Sequence, residues 1–232
     1  MKRLLSFLTI LVCITAEGKQ PKVTSLPFGE LSTGESTTLY TITNRRGASM
    51  QLLDYGARIV SIMMPDRKGH YGDVVVGFGD IENFEKKDRF IGPVIGRFGN
   101  RINHAAFTLD GIRYELVANE ELGGEPVQCH GGTMGFNRFI WDATPVKEEG
   151  RTGVRFHRVS PDGEQGFPGT MDVNVTYWLT DNNTVRVEYE ATTDKPTVVN
   201  LSNHTYFNLK GNEGGYVMDH LLQVEADTCI QN

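Results

Sequence analysis

Apolar residues recur at every second position over long stretches of this chain, the spacing of strands that bury one face. Positions 39–43 and 50–55 follow it on either side of Asn44-Arg45-Arg46-Gly47, a turn-forming run. Positions 107–109 and 112–114 flank Asp110-Gly111, a pair that tolerates the positive φ of a tight hairpin. Val173, Val175, Tyr177 and Leu179 alternate with polar residues. After Asp181-Asn182-Asn183 the same spacing returns in Val185, Val187, Tyr189 and Ala191. A 3.6-residue period is nearly absent, and only positions 81–88 predict a short helix. The pattern predicts an all-β fold, an antiparallel β-sandwich in one domain, with no internal repeat and no long linker. Positions 221–225 predict the start of a further strand, and an abrupt end at Asn232 would leave that strand unpaired. A chain cut short is the expectation that follows.

Composition narrows the function. The 232 residues are 39% hydrophobic and include 26 glycines, an ordinary globular balance rich in turns. The formal charge is −6, and the cations are scattered in short pairs such as Arg45-Arg46 and Lys86-Lys87. Nucleic-acid binding needs a basic patch that this pattern lacks, which leaves neutral small molecules as the natural partners. Lys2 and Arg3 precede an apolar run at positions 4–15, followed by Ala16 and a polar stretch. That is the layout of an export signal, too short to span a membrane, and it places the mature start near Glu17 in a secreted or periplasmic protein; a buried N-terminal helix or strand is the alternative. Of three cysteines, Cys13 would leave with the signal. Cys129 and Cys229 make no disulfide framework and are read as free thiols.

Four segments place polar residues where strands or turns would otherwise be plain. Gly96-Arg97-Phe98-Gly99-Asn100-Arg101-Ile102 offers an amide and a rigid fork of donors suited to hydroxyl groups, although a turn with a solvated arginine fits too. In Cys129-His130-Gly131-Gly132 the glycines allow close backbone approach beside an imidazole. That histidine also fits a structural turn; haem attachment and zinc binding lack their further ligands. Residues 163–169, Gly-Glu-Gln-Gly-Phe-Pro-Gly, read as a loop between strands. Residues 200–209, Asn-Leu-Ser-Asn-His-Thr-Tyr-Phe-Asn-Leu, alternate so that Ser202, His204, Tyr206 and Asn208 share one face, polar enough to line a pocket. Four Asn-X-Ser/Thr triplets begin at Asn174, Asn182, Asn200 and Asn203, and such triplets are common by chance.

Together and in this order the segments resemble the aldose 1-epimerase (galactose mutarotase) family. The carriers are Gly-Asn-Arg-Ile at 99–102, His-Gly-Gly at 130–132, Gly-Phe-Pro-Gly at 166–169 and Asn-His-Thr-Tyr-Phe-Asn-Leu at 203–209. Asp-Tyr-Gly-Ala at 54–57 and Asp-Val-Val-Val-Gly-Phe at 73–78 add to them. The resemblance runs from about position 24 to the end. It implies a large antiparallel sandwich with an open sugar-binding face, no cofactor, and galactose or glucose as substrate. It places His204 as general acid, His130 as the second histidine, Asn100 and Arg101 on sugar hydroxyls, and Thr205 and Tyr206 in the pocket. A histidine, with an unperturbed pKa of about 6.5, can deliver a proton to a ring oxygen near neutral pH. The family's base, a glutamate, and a sugar-binding aspartate lie beyond position 232, so these residues alone are expected to show little or no epimerase activity. A non-catalytic carbohydrate-binding module and an epimerase of phosphorylated hexoses are the alternatives.

Overall fold

The computed structural model describes residues 20–87 and 89–228. The export signal, Cys13 and Cys229 lie outside them. The N-terminal alternation becomes a five-stranded antiparallel meander of β1 (Lys22–Glu30), β2 (Ser36–Thr43), β3 (Ser49–Leu53), β4 (Arg58–Pro65) and β5 (Tyr71–Asp73). The expected turn closes β2 onto β3, with the Gly47 N–H donating to the Asn44 carbonyl at 3.1 Å. Helix α1 (Ile81–Lys86) follows, capped by Asp80, whose carboxylate accepts from the Asn83 N–H at 2.8 Å. It stops short of the predicted 88, because Lys87 already has non-helical backbone angles.

Short strands come next: β6 (Val94–Ile95), β7 (Arg101–Asn103), β8 (Ala106–Leu109), β9 (Ile112–Glu115), β10 (Glu120–Leu122) and β11 (Glu125–Cys129). The β8–β9 hairpin turns through Asp110 at φ 51° and Gly111 at φ 78°, as its sequence predicts. A second antiparallel meander follows, β12 (Asp142–Glu148), β13 (Arg151–Ser160), β14 (Met171–Thr180) and β15 (Val185–Thr193).

The two meanders face each other across one core. Ile42, Met50, Leu52 and Ile62 from the first pack with Val154, Phe156, Val175 and Tyr177 from the second. Each strand contributes alternate side chains, the arrangement of a sandwich. All four apolar residues predicted for β14 are fully buried. On the edge strand β15, Val185, Val187 and Tyr189 are half-buried against that core, and Ala191 is exposed. Buried Asn44 ties the layers together: its Nδ2 donates to the Thr180 carbonyl at 2.8 Å and to Asn183 Oδ1 at 2.7 Å.

Two strand expectations are corrected. Of residues 200–209, only β16 (Ser202–Asn203) is a regular strand, paired antiparallel with β6, and a single bridge joins Phe207 to Val75. Ser202 is exposed, but Asn208 is buried and does not line the polar face. Its amide instead closes a turn, donating to the Gly215 carbonyl and accepting from the Lys210 N–H. Residues 221–228 form no regular structure, and Leu221 is fully exposed. Alternation cannot build a strand without a ladder partner.

Candidate active site

The β6–β16 pairing sets the first half of the site. Asn203 points into the sandwich, where its Nδ2 donates to the Gly92 carbonyl and to the Tyr177 hydroxyl, both at 3.0 Å. The Tyr177 hydroxyl in turn donates to the Ala57 carbonyl at 2.6 Å. With Asn203 anchored inward, the next residue is turned to the other side. The His204 backbone is held on both edges, its N–H donating to Pro93 and its carbonyl accepting from Gly92. Its ring meets that of Tyr206 at 5.0 Å between centroids.

The second half comes from the β7–β11 pairing. His130 follows β11 with φ 53°, and its N–H donates to the Asn100 carbonyl at 3.0 Å. The glycine after it is obligatory. A Cβ on Gly131, at φ 88°, would lie 1.9 Å from the Gly96 carbonyl oxygen. Loop 163–169 braces the same turn, with Gln165 Oε1 accepting from Thr133 Oγ1 and the Met134 N–H. Arg97, fully buried, pins that loop through the Ser160, Pro161 and Pro168 carbonyls.

The halves meet in one aromatic cluster. The His130 and His204 rings stand 5.1 Å apart and perpendicular, at 89°. Phe90 packs against both, at 4.8 Å from His130 and 5.9 Å from His204. His130 Nδ1 accepts from the Asn100 N–H at 3.0 Å, so in the neutral ring the proton sits on Nε2, which becomes the donor. Burial first, then the charges of His204 and Arg101, push the His130 pKa below that of an ordinary histidine, with Glu120 opposing. His130 is thus a neutral donor, through Nε2, beside the His204 ring.

Arg101 reaches this cluster through Asn100, its Nη1 donating to Asn100 Oδ1 at 3.3 Å, while its Nε bonds Glu120 at 2.6 Å. Thr205 takes a different direction. Its N–H donates to Asn203 Oδ1 at 3.0 Å and its hydroxyl bonds the same oxygen, so both are engaged within their own turn. Tyr206 is exposed, with its hydroxyl donating to the Arg89 carbonyl at 3.2 Å. Among the described residues no group of three or more His, Cys, Asp or Glu side chains is arranged to hold a metal ion.

Comparison with known proteins decides the family: the aldose 1-epimerase family model matches residues 38–231. The chain belongs to the aldose 1-epimerase family. Human galactose mutarotase is 39% identical over 208 residues, covering 90% of this chain and 58% of that protein. The Escherichia coli K12 aldose 1-epimerase is 36% identical over 197 residues, 85% of this chain and 55% of its own length. Among solved structures, the galactose 1-epimerase of Lactobacillus acidophilus superposes with a TM-score of 0.72 at 26% identity, over 82% of this chain and 54% of that one. A Caenorhabditis elegans GalM/aldose epimerase homologue gives 0.67 at 32% identity, over 75% and 52%. This epimerase-family chain therefore spans just over half the length of the relatives it matches.

Within this aldose 1-epimerase sandwich, the sequence motifs supplied the imidazoles, the amide and the guanidinium, but not Phe90 or Glu120. Phe90 stands in a loop and Glu120 on an exposed strand, and neither belongs to a motif that would single it out. Cys129, at the end of β11, is a buried free thiol, pushed up to about 11 chiefly by burial. Asp54, from the early Asp-Tyr-Gly-Ala stretch, is a framework residue whose carboxylate accepts the Thr38 N–H at 2.9 Å.

Proposed function

We propose that these residues form the acid side of a site that interconverts the α and β anomers of a free hexose, galactose or glucose. The observation that carries the reading is the perpendicular imidazole pair, 5.1 Å apart, with one ring held neutral and the hydroxyl-binding groups Asn100 and Arg101 behind it.

The chemistry uses each group once. The His204 imidazolium gives its proton to the ring oxygen as the C1–O5 bond breaks, while a base takes the proton of the anomeric hydroxyl. C1 becomes an aldehyde, rotates about the C1–C2 bond, and is attacked by O5 from the other face, with both protons returning. His130 Nε2–H donates to a sugar oxygen where negative charge builds, and Arg101 holds a sugar hydroxyl. Glu120 is engaged by Arg101, so it does not serve as the base. The resemblance supplies a glutamate for that step, C-terminal to position 232. The leader at positions 1–16 supports export, with a mature chain starting near Glu17 that intact-mass analysis would reveal.

Polarimetry of fresh α-galactose tests the reading on the chain extended to the length of its relatives. The His204→Gln variant should lose about 10²–10⁴-fold in rate, the worth of a positioned acid. A variant as fast as the parent removes His204 from the chemistry and the reading with it.

A further inference from the structure

Glu120 has no part in the reading above beyond its contact with Arg101, yet the fold goes to some length to place it. It opens β10, the edge strand of the three-stranded sheet β10–β11–β7, in which Cys129 lies opposite Arg101 and Glu120 opposite Val127. The preceding residue clamps that edge. Asn119 Nδ2 donates to the Cys129 carbonyl at 3.0 Å, and its Oδ1 accepts the Cys129 N–H at 2.7 Å. The Glu120 carboxylate receives Arg101 Nε at 2.6 Å.

The consequence lies in how the guanidinium is divided. Nε is taken by Glu120, and Nη1 is drawn to Asn100 Oδ1 at 3.3 Å. Nη2 has no partner among the described residues and remains for a ligand. Asn100 passes this arrangement on, because its N–H is the donor that fixes the His130 tautomer. A planar fork held on one side is a directional donor on the other. The charge is divided too: the Arg101 cation is matched by an adjacent carboxylate, so the hydroxyl-binding corner carries no net charge beside a neutral His130.

We propose that Glu120 is a positioning and specificity-determining residue: by gripping Arg101 from the sheet edge it aims the free guanidinium nitrogen at a sugar hydroxyl, and by cancelling its charge it selects neutral hexoses over hexose phosphates. The inference rests on the epimerase reading. A phosphate brings roughly −2 near neutral pH and would meet a like charge beside a cation already paired. The ion pair is partly solvent-exposed, at 30% for Arg101 and 42% for Glu120, so it contributes little to stability and its loss should leave the fold intact.

Glu120→Ala and Glu120→Asp test this in the extended protein, with a second readout on the 232-residue chain. Glu120→Ala should raise the KM for galactose about 3- to 10-fold while kcat stays within about twofold, because ground-state and transition-state binding fall together. Glu120→Asp should recover most of the loss, and galactose 6-phosphate should gain relative to galactose in the alanine variant. By NMR titration of the 232-residue chain, the His130 midpoint should fall in Glu120→Ala and rise in Arg101→Met, since the two charges act on it in opposite senses. Parent-like KM together with an unmoved His130 midpoint overturns the proposal and leaves the epimerase reading standing. If His204→Gln alone keeps the parent rate, that reading falls by itself, and the midpoint still decides whether Glu120 governs this corner.

Discussion

The Tyr177 hydroxyl is where the sandwich core is wired to the site, and removing it is the sharpest single perturbation. Tyr177→Phe keeps the ring, which sits fully buried among Ile42, Phe156 and Val175, and deletes one oxygen. That oxygen donates to the Ala57 carbonyl at 2.6 Å and accepts from Asn203 Nδ2 at 3.0 Å. Two buried hydrogen bonds go, and one carbonyl and one amide N–H lose these partners; at about 1 kcal/mol per bond plus the cost of unpaired groups, the expected loss is about 2–4 kcal/mol. Urea unfolding followed by tryptophan fluorescence reads this as a midpoint lower by about 1–2 M at a slope of roughly 2 kcal/mol/M. Asn203→Ala, made alone and with Tyr177→Phe, closes a double-mutant cycle, and the pair should couple by about 0.5 kcal/mol or more. Because Asn203 orients His204, the His204 ring signals should broaden or shift in Tyr177→Phe although the substitution lies on β14. A stability loss under about 0.5 kcal/mol, or strict additivity in the cycle, would refute the wiring.

Further outcomes follow from the same contacts. Gly131→Ala puts a Cβ 1.9 Å from a carbonyl oxygen at φ 88°, so it should cost more than about 3 kcal/mol; a melting temperature within a few degrees of the parent contradicts this. Burial raises the Asp54 pKa from 3.8 to about 6, over the opposing Thr38 hydrogen bonds. The native state therefore holds this proton more tightly than the unfolded chain. The stability contributed by the protonated form is full below about 4 and is lost as pH rises through about 6, by up to about 3 kcal/mol at 1.36 kcal/mol per pKa unit. Asp54→Asn should flatten that part of the stability-versus-pH curve in urea titrations, and identical slopes in the two proteins would contradict it.

The local code of this chain is its two-residue period. A strand that buries one face must alternate, and a tight hairpin must place residues tolerant of positive φ at its tip, so β2 with β3, β14 with β15 and the Asp110-Gly111 turn were readable position by position, whereas β1, β4, β5, β12 and β13 were not picked out. Where alternation lacked a ladder partner, at 221–225 and through most of 200–209, the reading overshot, since a strand is a pairing and not a property of one segment. The histidines could be picked out by their motifs, but their meeting could not. His130 and His204 are brought to 5.1 Å by two separate pairings, β7 with β11 and β6 with β16, which join residues far apart in sequence. Only that tertiary closure fixes the His130 tautomer through Asn100, turns Thr205 back on Asn203, buries Asn208, and enrols Phe90 and Glu120. Burial and through-space charge arise from packing, and no residue carries them in its own letter.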